Sequence, residues 1–460
     1  MTDVIAGQTL ALLAQFYDFS GGTLTDLDAT PTITVTAVAT GVTALAATSS
    51  GVTHPGTGSY GYGWTPTSTL TPGLYLALWA GTKNGSAVTA TETITVTAPA
   101  SAEDALTSPE GIWYATVEEV KGELDVRETA RSNKRIARAL EDASRRVEDD
   151  CHRKFFPVQA TRFFDWPSRG GATPWILRLD DKELISVSTL ASGGTVITSD
   201  EYNLEPVNSG PPYRRIEVKL SSDASFGGGD TYQRDIQVTG LWGYRNTETT
   251  TGSTAEVLDD SETAIDVDGA TSAAVGIGSV VRVDSERMLV TGRRQLDTGQ
   301  TVGGSGLTNL NSATAITVQD GAAFSPDEVI LIDAEKMRID DIAGNTLVVT
   351  RPWDGTTIAA HSVGATIYAP RTLTVTRGAL GTTAAAHASG SAVALWMPPG
   401  PIRQLVIAEA LNDLLQGRSG YARTAGAGEN ERETSGKGLA DLRKEVCGSE
   451  LARKGRTRAV

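Results

Sequence analysis

Cysteine is nearly absent from this sequence. Its 460 residues hold only two, Cys151 and Cys447, which supply neither a disulfide framework nor the CxxC and Cys/His spacings of a zinc site. They lie far apart along the chain, so no disulfide is expected. Histidine is almost as scarce, at four residues, and leaves no clustered metal set. No run approaches the roughly 18 consecutive apolar residues of a membrane span. The opening Met-Thr-Asp-Val-Ile-Ala-Gly also lacks the basic and then apolar segments of a secretion signal. Assembly in a cytoplasm, with no membrane partner, is therefore expected. Positive charge is short as well: the formal net charge is −15, and a protein that grips DNA needs Lys and Arg to neutralise phosphates. An acidic surface suits a wall that DNA slides past, although solubility is the simpler account of it. No nucleophile elbow and no phosphate loop occurs, so no catalytic residue, cofactor or metal is assigned.

What is present is organised around residues 116 to 157. Thr116 and Glu119 form a Thr-x-x-Glu capping box, which marks a helix starting at about Val117. Val117, Val120 and Leu124 give it one short apolar face, too little for a helix to stand alone. The partner is a long helix in which Ile136, Leu140, Ala143, Val147 and Cys151 make one stripe, with Arg135, Arg138, Glu141, Asp142, Arg145, Glu148 and Asp149 on the other faces. Phe155, Phe156 and Pro157 stop it, because proline has no amide to donate. A second apolar helix follows Met397-Pro-Pro-Gly-Pro401. There Ile402, Leu405, Val406, Ile407, Leu411, Leu414 and Leu415 cover most of the circumference, the mark of a buried helix.

Short strand-like segments fill the interval after Pro157: Thr161–Asp165, Ile176–Leu179, Ile185–Val187, Tyr202–Pro206, Arg215–Val218 and Val238–Tyr244. In this order, over residues 116 to 246 and again over 398 to 446, the chain resembles the head-tail connector (adaptor) proteins of long-tailed bacteriophages. The resemblance implies a virion protein of the neck, forming a ring of about twelve copies below the portal. It would join the portal to a tail-side neck or tail-terminator protein and line a channel that passes double-stranded DNA without reading its sequence. The family has no catalytic residues. The surfaces expected to meet neighbouring copies or the portal are Ile136, Leu140, Val147, Phe155 and Phe156, then Ile402, Val406, Leu411 and Leu415, and the basic tail residues Arg453, Lys454, Arg456 and Arg458.

The expected architecture is multidomain and mainly β around an α-helical connector core. Residues 1 to 98 read as an immunoglobulin-like β-sandwich, with alternating strands such as Thr32–Val38 and Ala90–Thr97, and Trp64 and Trp79 as core candidates. Only six of these residues are charged, Asp3, Asp18, Asp26, Asp28, Lys83 and Glu92, which fits an adhesive module or a packing module equally well. Tyr60, Tyr62 and Trp64 alternate along one strand and could stack on a sugar, although such a pattern is more often core. A linker, 99–115, leads to the connector core, 116–246, in which Ala191–Thr195 reads as a hairpin turn. An inserted β-repeat domain spans 255–395, the core resumes over 398–446, and residues 447–460 form the basic tail. The stretch from Thr424 to Gly438 reads as disordered.

The insertion repeats itself. Val280–Met288 returns as Val329–Met337, and Arg351–His361 returns as Arg377–His387, each of the latter preceded by Leu-x-Val-Thr. Asp284 with Glu286, Asp333 with Glu335, and His361 with His387 invite a catalytic or calcium reading, which requires shifted pKa values and converging oxygens. The plainer expectation is that the acids decorate turns and that the histidine rings bond to backbone. Three functions are weighed on this basis: the connector ring first, then a tail-fibre or receptor-binding protein using its β modules, then a cell-wall hydrolase.

Overall fold

The structure, a computed structural model, describes residues 2–5, 9–18, 22–66, 70, 73–97, 111–123, 133–167, 173–179, 182–419, 424–425, 432–433, 437–448 and 451. It is mainly β, with several antiparallel sheets and few helices. Two compact units divide the chain. One comprises residues 1–102, 297–321 and 329–369, the other 103–296, 322–328 and 370–460. The division falls inside the stretch expected to be one inserted domain. Among the described residues no helix is long and apolar enough to cross a membrane.

In the first unit, residues 1 to 97 form two sheets. Thr32–Ala37, Gly73–Lys83 and Ser86–Thr97 lie in a five-stranded sheet, and Leu10–Gln15, Thr53–Gly56 and Ser59–Trp64 make a three-stranded one. Leu12, Tyr60 and Trp64 from the smaller sheet, with Phe16 just beyond its first strand, share one buried cluster with Ile33, Val35, Tyr75, Trp79 and Ile94 from the larger. Both tryptophans are therefore core, as expected. So is Tyr60, whose hydroxyl accepts the Leu27 amide at 3.0 Å; with Tyr60 and Trp64 buried, the sugar platform is not formed. Outward-facing Leu74, Leu76 and Leu78 alternate with the buried residues of the same strand.

In the second unit, helix α1 (Val117–Glu123) starts at the predicted box: the Thr116 amide donates to Glu119 Oε2 at 2.8 Å, and the Glu119 amide to Thr116 Oγ1 at 3.3 Å. Thr116→Ala should cost about 1 kcal/mol in urea unfolding, and Thr116→Ser should restore most of it. Leu124 lies outside the described residues. Helix α2 (Asn133–Cys151) buries the whole predicted stripe. It departs from expectation at Glu148, which is buried rather than solvated. The Tyr114 hydroxyl donates to Glu148 Oε1 at 2.6 Å and Arg145 donates to Oε2 at 3.0 Å. Burial raises the pKa of this carboxyl, opposed by those two partners. A short helix, α3 (Gly269–Ala274), is capped by Asp268.

Helix α4 (Gly400–Ser419) packs against α2, and α5 (Lys437–Gly448) against α4. Ile136, Leu140, Val147, Phe155, Phe156, Ile402, Leu405, Val406 and Val446 lie in one cluster with Trp113, Tyr114 and Trp396. Arg146 of α2 reaches Glu409 of α4 at 2.9 Å and Asp413 at 3.2 Å. The strand-like segments form two sheets. Thr195–Ile197, Leu184–Ser192, Ile236–Trp242 and Val158–Phe164 lie side by side in that order, and Arg215–Val218 sits between Ile176–Arg178 and Tyr202–Glu205. The predicted hairpin closes over Gly193 and Gly194, at φ of 58° and 80°, the left-handed region in which glycine has no Cβ clash.

Candidate functional site: twin buried carboxylate clusters

The repeats build the same cluster twice, once in each unit. In the first unit, strands Val329–Ile332 and Glu335–Ala343 form a hairpin whose turn holds Asp333 at φ 54°, a left-handed position that Asp tolerates. The turn sends Asp333 and Glu335 toward the loop that follows strand Thr346–Trp353. There His361 places Nδ1 2.7 Å from Asp333 Oδ2 and Nε2 2.9 Å from Glu335 Oε2. Arg351 grips Glu335 with two parallel bonds, Nε at 2.8 Å and Nη2 at 2.5 Å, and the Ala359 amide adds a third at 2.9 Å. Arg351 also donates to the carbonyls of Thr308, Ala313 and Ala359. Three separate segments are thus fastened by one fully buried ion pair.

The second unit repeats each contact. His387 Nδ1 is 2.8 Å from Asp284 and its Nε2 2.9 Å from Glu286. Arg377 grips Glu286 with Nε and Nη2, both at 2.8 Å, while the amides of Gly378 and Ala385 donate to the same carboxylate at 2.9 and 3.0 Å. Arg377 then bonds the carbonyls of Asp259, Glu262 and Ala385. Even the backbone agrees: His361 pairs with Leu307 and His387 with Leu258 as isolated bridges.

The two copies differ in how they are strung. Glu335 and Arg351 are 16 residues apart, whereas Glu286 and Arg377 are 91 apart. The first copy is contained in the interval that separates the halves of the second. One accessory pair also differs. Lys336 binds Asp354 at 3.0 Å in a buried pair, but the position of Asp354 in the other repeat is Leu380; both residues stand at φ 56°. Arg287, standing where Lys336 does, turns instead to Glu248.

Burial disfavours the charged form of both glutamates, and it is the largest single influence on each. Their donors outweigh it. Glu286 is brought down to about 2 by Arg377, His387 and the amides of Gly378 and Ala385, and Glu335 is lowered by Arg351, Ala359 and His361. Burial likewise pushes the His361 ring toward neutrality, but the bonds to Asp333 and Glu335 raise its pKa overall. With His361 protonated, the inner cluster holds two positive and two negative groups and is balanced. Both ring nitrogens and the buried carboxylate are already bonded, while the Asp333 and Asp284 carboxylates remain partly exposed. Among the described residues no group of three or more His, Cys, Asp or Glu side chains is placed to hold a metal ion. What the geometry shows is a staple that fastens separate segments.

Two sequence expectations change. Glu286 and Glu335 do not decorate turns: both are wholly buried. The histidine rings bond to carboxylates, and only their backbones pair with backbone. Arg351 and Arg377, which carry no sequence expectation, each stand ten residues before the histidine of their repeat.

The residues expected at an oligomer or portal interface are divided by the structure. Ile136, Leu140, Val147, Phe155, Phe156, Ile402 and Val406 are buried in the chain's own helical core, because α2 and α4 pack their apolar faces on each other. Leu411 and Leu415 are half-buried, on a stripe of α4 with Ile407. Arg453, Lys454, Arg456 and Arg458, and most of the stretch from 424 to 438, lie outside the described residues. The cysteines, expected to stay apart, converge: their sulfurs are 2.8 Å from each other. Compared with known proteins, the sequence matches no family model and no curated protein.

Proposed function

We propose that this protein is a structural head-tail connector of a phage virion, a ring below the portal that joins capsid to tail around the DNA exit channel. One observation supports this reading most. Two segments with more than 260 residues between them, Arg146 on α2 and Glu409 on α4, meet in a single helical core closed by the aromatic stop at Phe155 and Phe156. A core split in this way and carrying long insertions is a scaffold, and its buried charge clusters serve cohesion. The half-buried stripe Ile407, Leu411 and Leu415, with the basic tail, then provides contacts to a neighbouring copy and to an acidic portal. The DNA passes without sequence-specific binding.

A second reading, a tail-fibre or receptor-binding role, draws on the outward Leu74, Leu76 and Leu78 of the charge-poor sandwich. The test is native mass measurement of the chain with and without purified portal protein, together with images of neck complexes. The expected result is a ring of about twelve copies on the portal. A chain that stays monomeric with portal present, and is missing from the neck, would refute the connector; finding it at the tail tip would favour the second reading.

A further inference from the structure

The two cysteines are 296 residues apart in sequence, yet Cys151 Sγ at the end of α2 and Cys447 Sγ on α5 are 2.8 Å apart. Both are free thiols. Helix α5 is held there by contacts that involve no sulfur. Arg443 donates through Nε to Glu409 Oε1 of α4 at 2.9 Å, and the same nitrogen lies 3.3 Å from Asp150 Oδ2, next to Cys151. Val446, next to Cys447, is buried in the helical core. A covalent bond would need the sulfurs to close only to about 2.05 Å.

We propose that Cys151 and Cys447 are a disulfide-forming site which, once oxidised, staples α5 to the end of α2. With a small disulfide such as oxidised glutathione as oxidant, the more exposed Cys447 gives up its proton and attacks one glutathione sulfur. A mixed disulfide forms and one reduced glutathione leaves. Cys151 then loses its proton and attacks the Cys447 sulfur, and the second glutathione departs as a thiolate and is protonated. The protein has lost two hydrogens, and the oxidant's sulfur-sulfur bond has become two thiols. The order follows from burial. Cys151 is fully buried, and burial and its bonded neighbour Cys447 hold its thiol far above the ordinary range, so it completes the exchange and does not begin it.

The full chain, purified with reductant and then freed of it, is incubated with oxidised glutathione. Free thiols are counted by alkylation in denaturant, alongside intact mass and a non-reducing peptide map. The expected result is a fall from two thiols to none, a mass lower by two hydrogens, and a 151–447 link within a monomer. Cys151→Ala should stop at a glutathione adduct on Cys447, and Cys447→Ser should keep its one thiol. The proposal is overturned if the unaltered chain stops at that adduct, if it links one chain to another, or if both thiols persist until urea unfolds it.

Discussion

Arg377→Ala should destabilise the second unit by about 3–5 kcal/mol, the usual cost of removing one partner from a buried ion pair. The size follows from what is left behind. Glu286 has no exposed surface, and without the guanidinium it keeps only His387 and two amides against the cost of burial. The carbonyls of Asp259, Glu262 and Ala385 lose their donor as well. Arg377→Lys should recover only part of the loss, since an ammonium cannot make the paired bonds of the planar fork. Urea unfolding gives the magnitude, and hydrogen exchange at residues 258–262 and 385–387 locates it. A loss under about 1 kcal/mol would mean that water replaces the arginine and that the cluster is no staple. Arg351→Ala should have a similar effect on residues 307–313 and 359–361.

Acid should unfold the protein through the same groups. Glu286 falls from the usual carboxylate value near 4.5 to about 2 in the folded chain. A depressed folded pKa stabilises above the unfolded value and is lost as pH falls through the folded one, so about 3 kcal/mol should disappear between pH 5 and pH 2. Glu335, lowered too, adds to the same arm. His361 has the opposite sign. Its pKa is raised, so its contribution is complete below its ordinary value of 6.5 and is lost as pH rises through the folded value. Urea midpoints measured against pH should show both arms. Glu286→Gln should flatten the acid arm and His361→Gln the alkaline one; an acid arm unchanged in Glu286→Gln would place the titration elsewhere.

Local chemistry was legible in the sequence, and distant pairing was not. The capping box at Thr116, the α2 stripe, the strands after Pro157 and the turn at Gly193-Gly194 each depend on residues a few positions apart, and each stands where expected. Sandwich tryptophans were readable for the same reason. Glu148 looked like part of a solvated face, because nothing near it announces Tyr114, which reaches it from outside the helix. The cysteines looked separate because separation along the chain carries no information about distance once α5 folds back. Arg351 and Arg377 were the most recoverable omissions. Their constant spacing to a histidine, repeated beside two Asp-x-Glu turns, is a signal of shared geometry.

Stringing one cluster inside the other fixes an order of events on the ribosome. Glu286 emerges 91 residues ahead of Arg377, a delay of roughly 5–20 s at ordinary rates of synthesis. During that interval the enclosed copy, whose Glu335 and Arg351 are only 16 residues apart, receives all its partners and is able to close first. The enclosing copy is completed last, by residues made after its own centre has already been built.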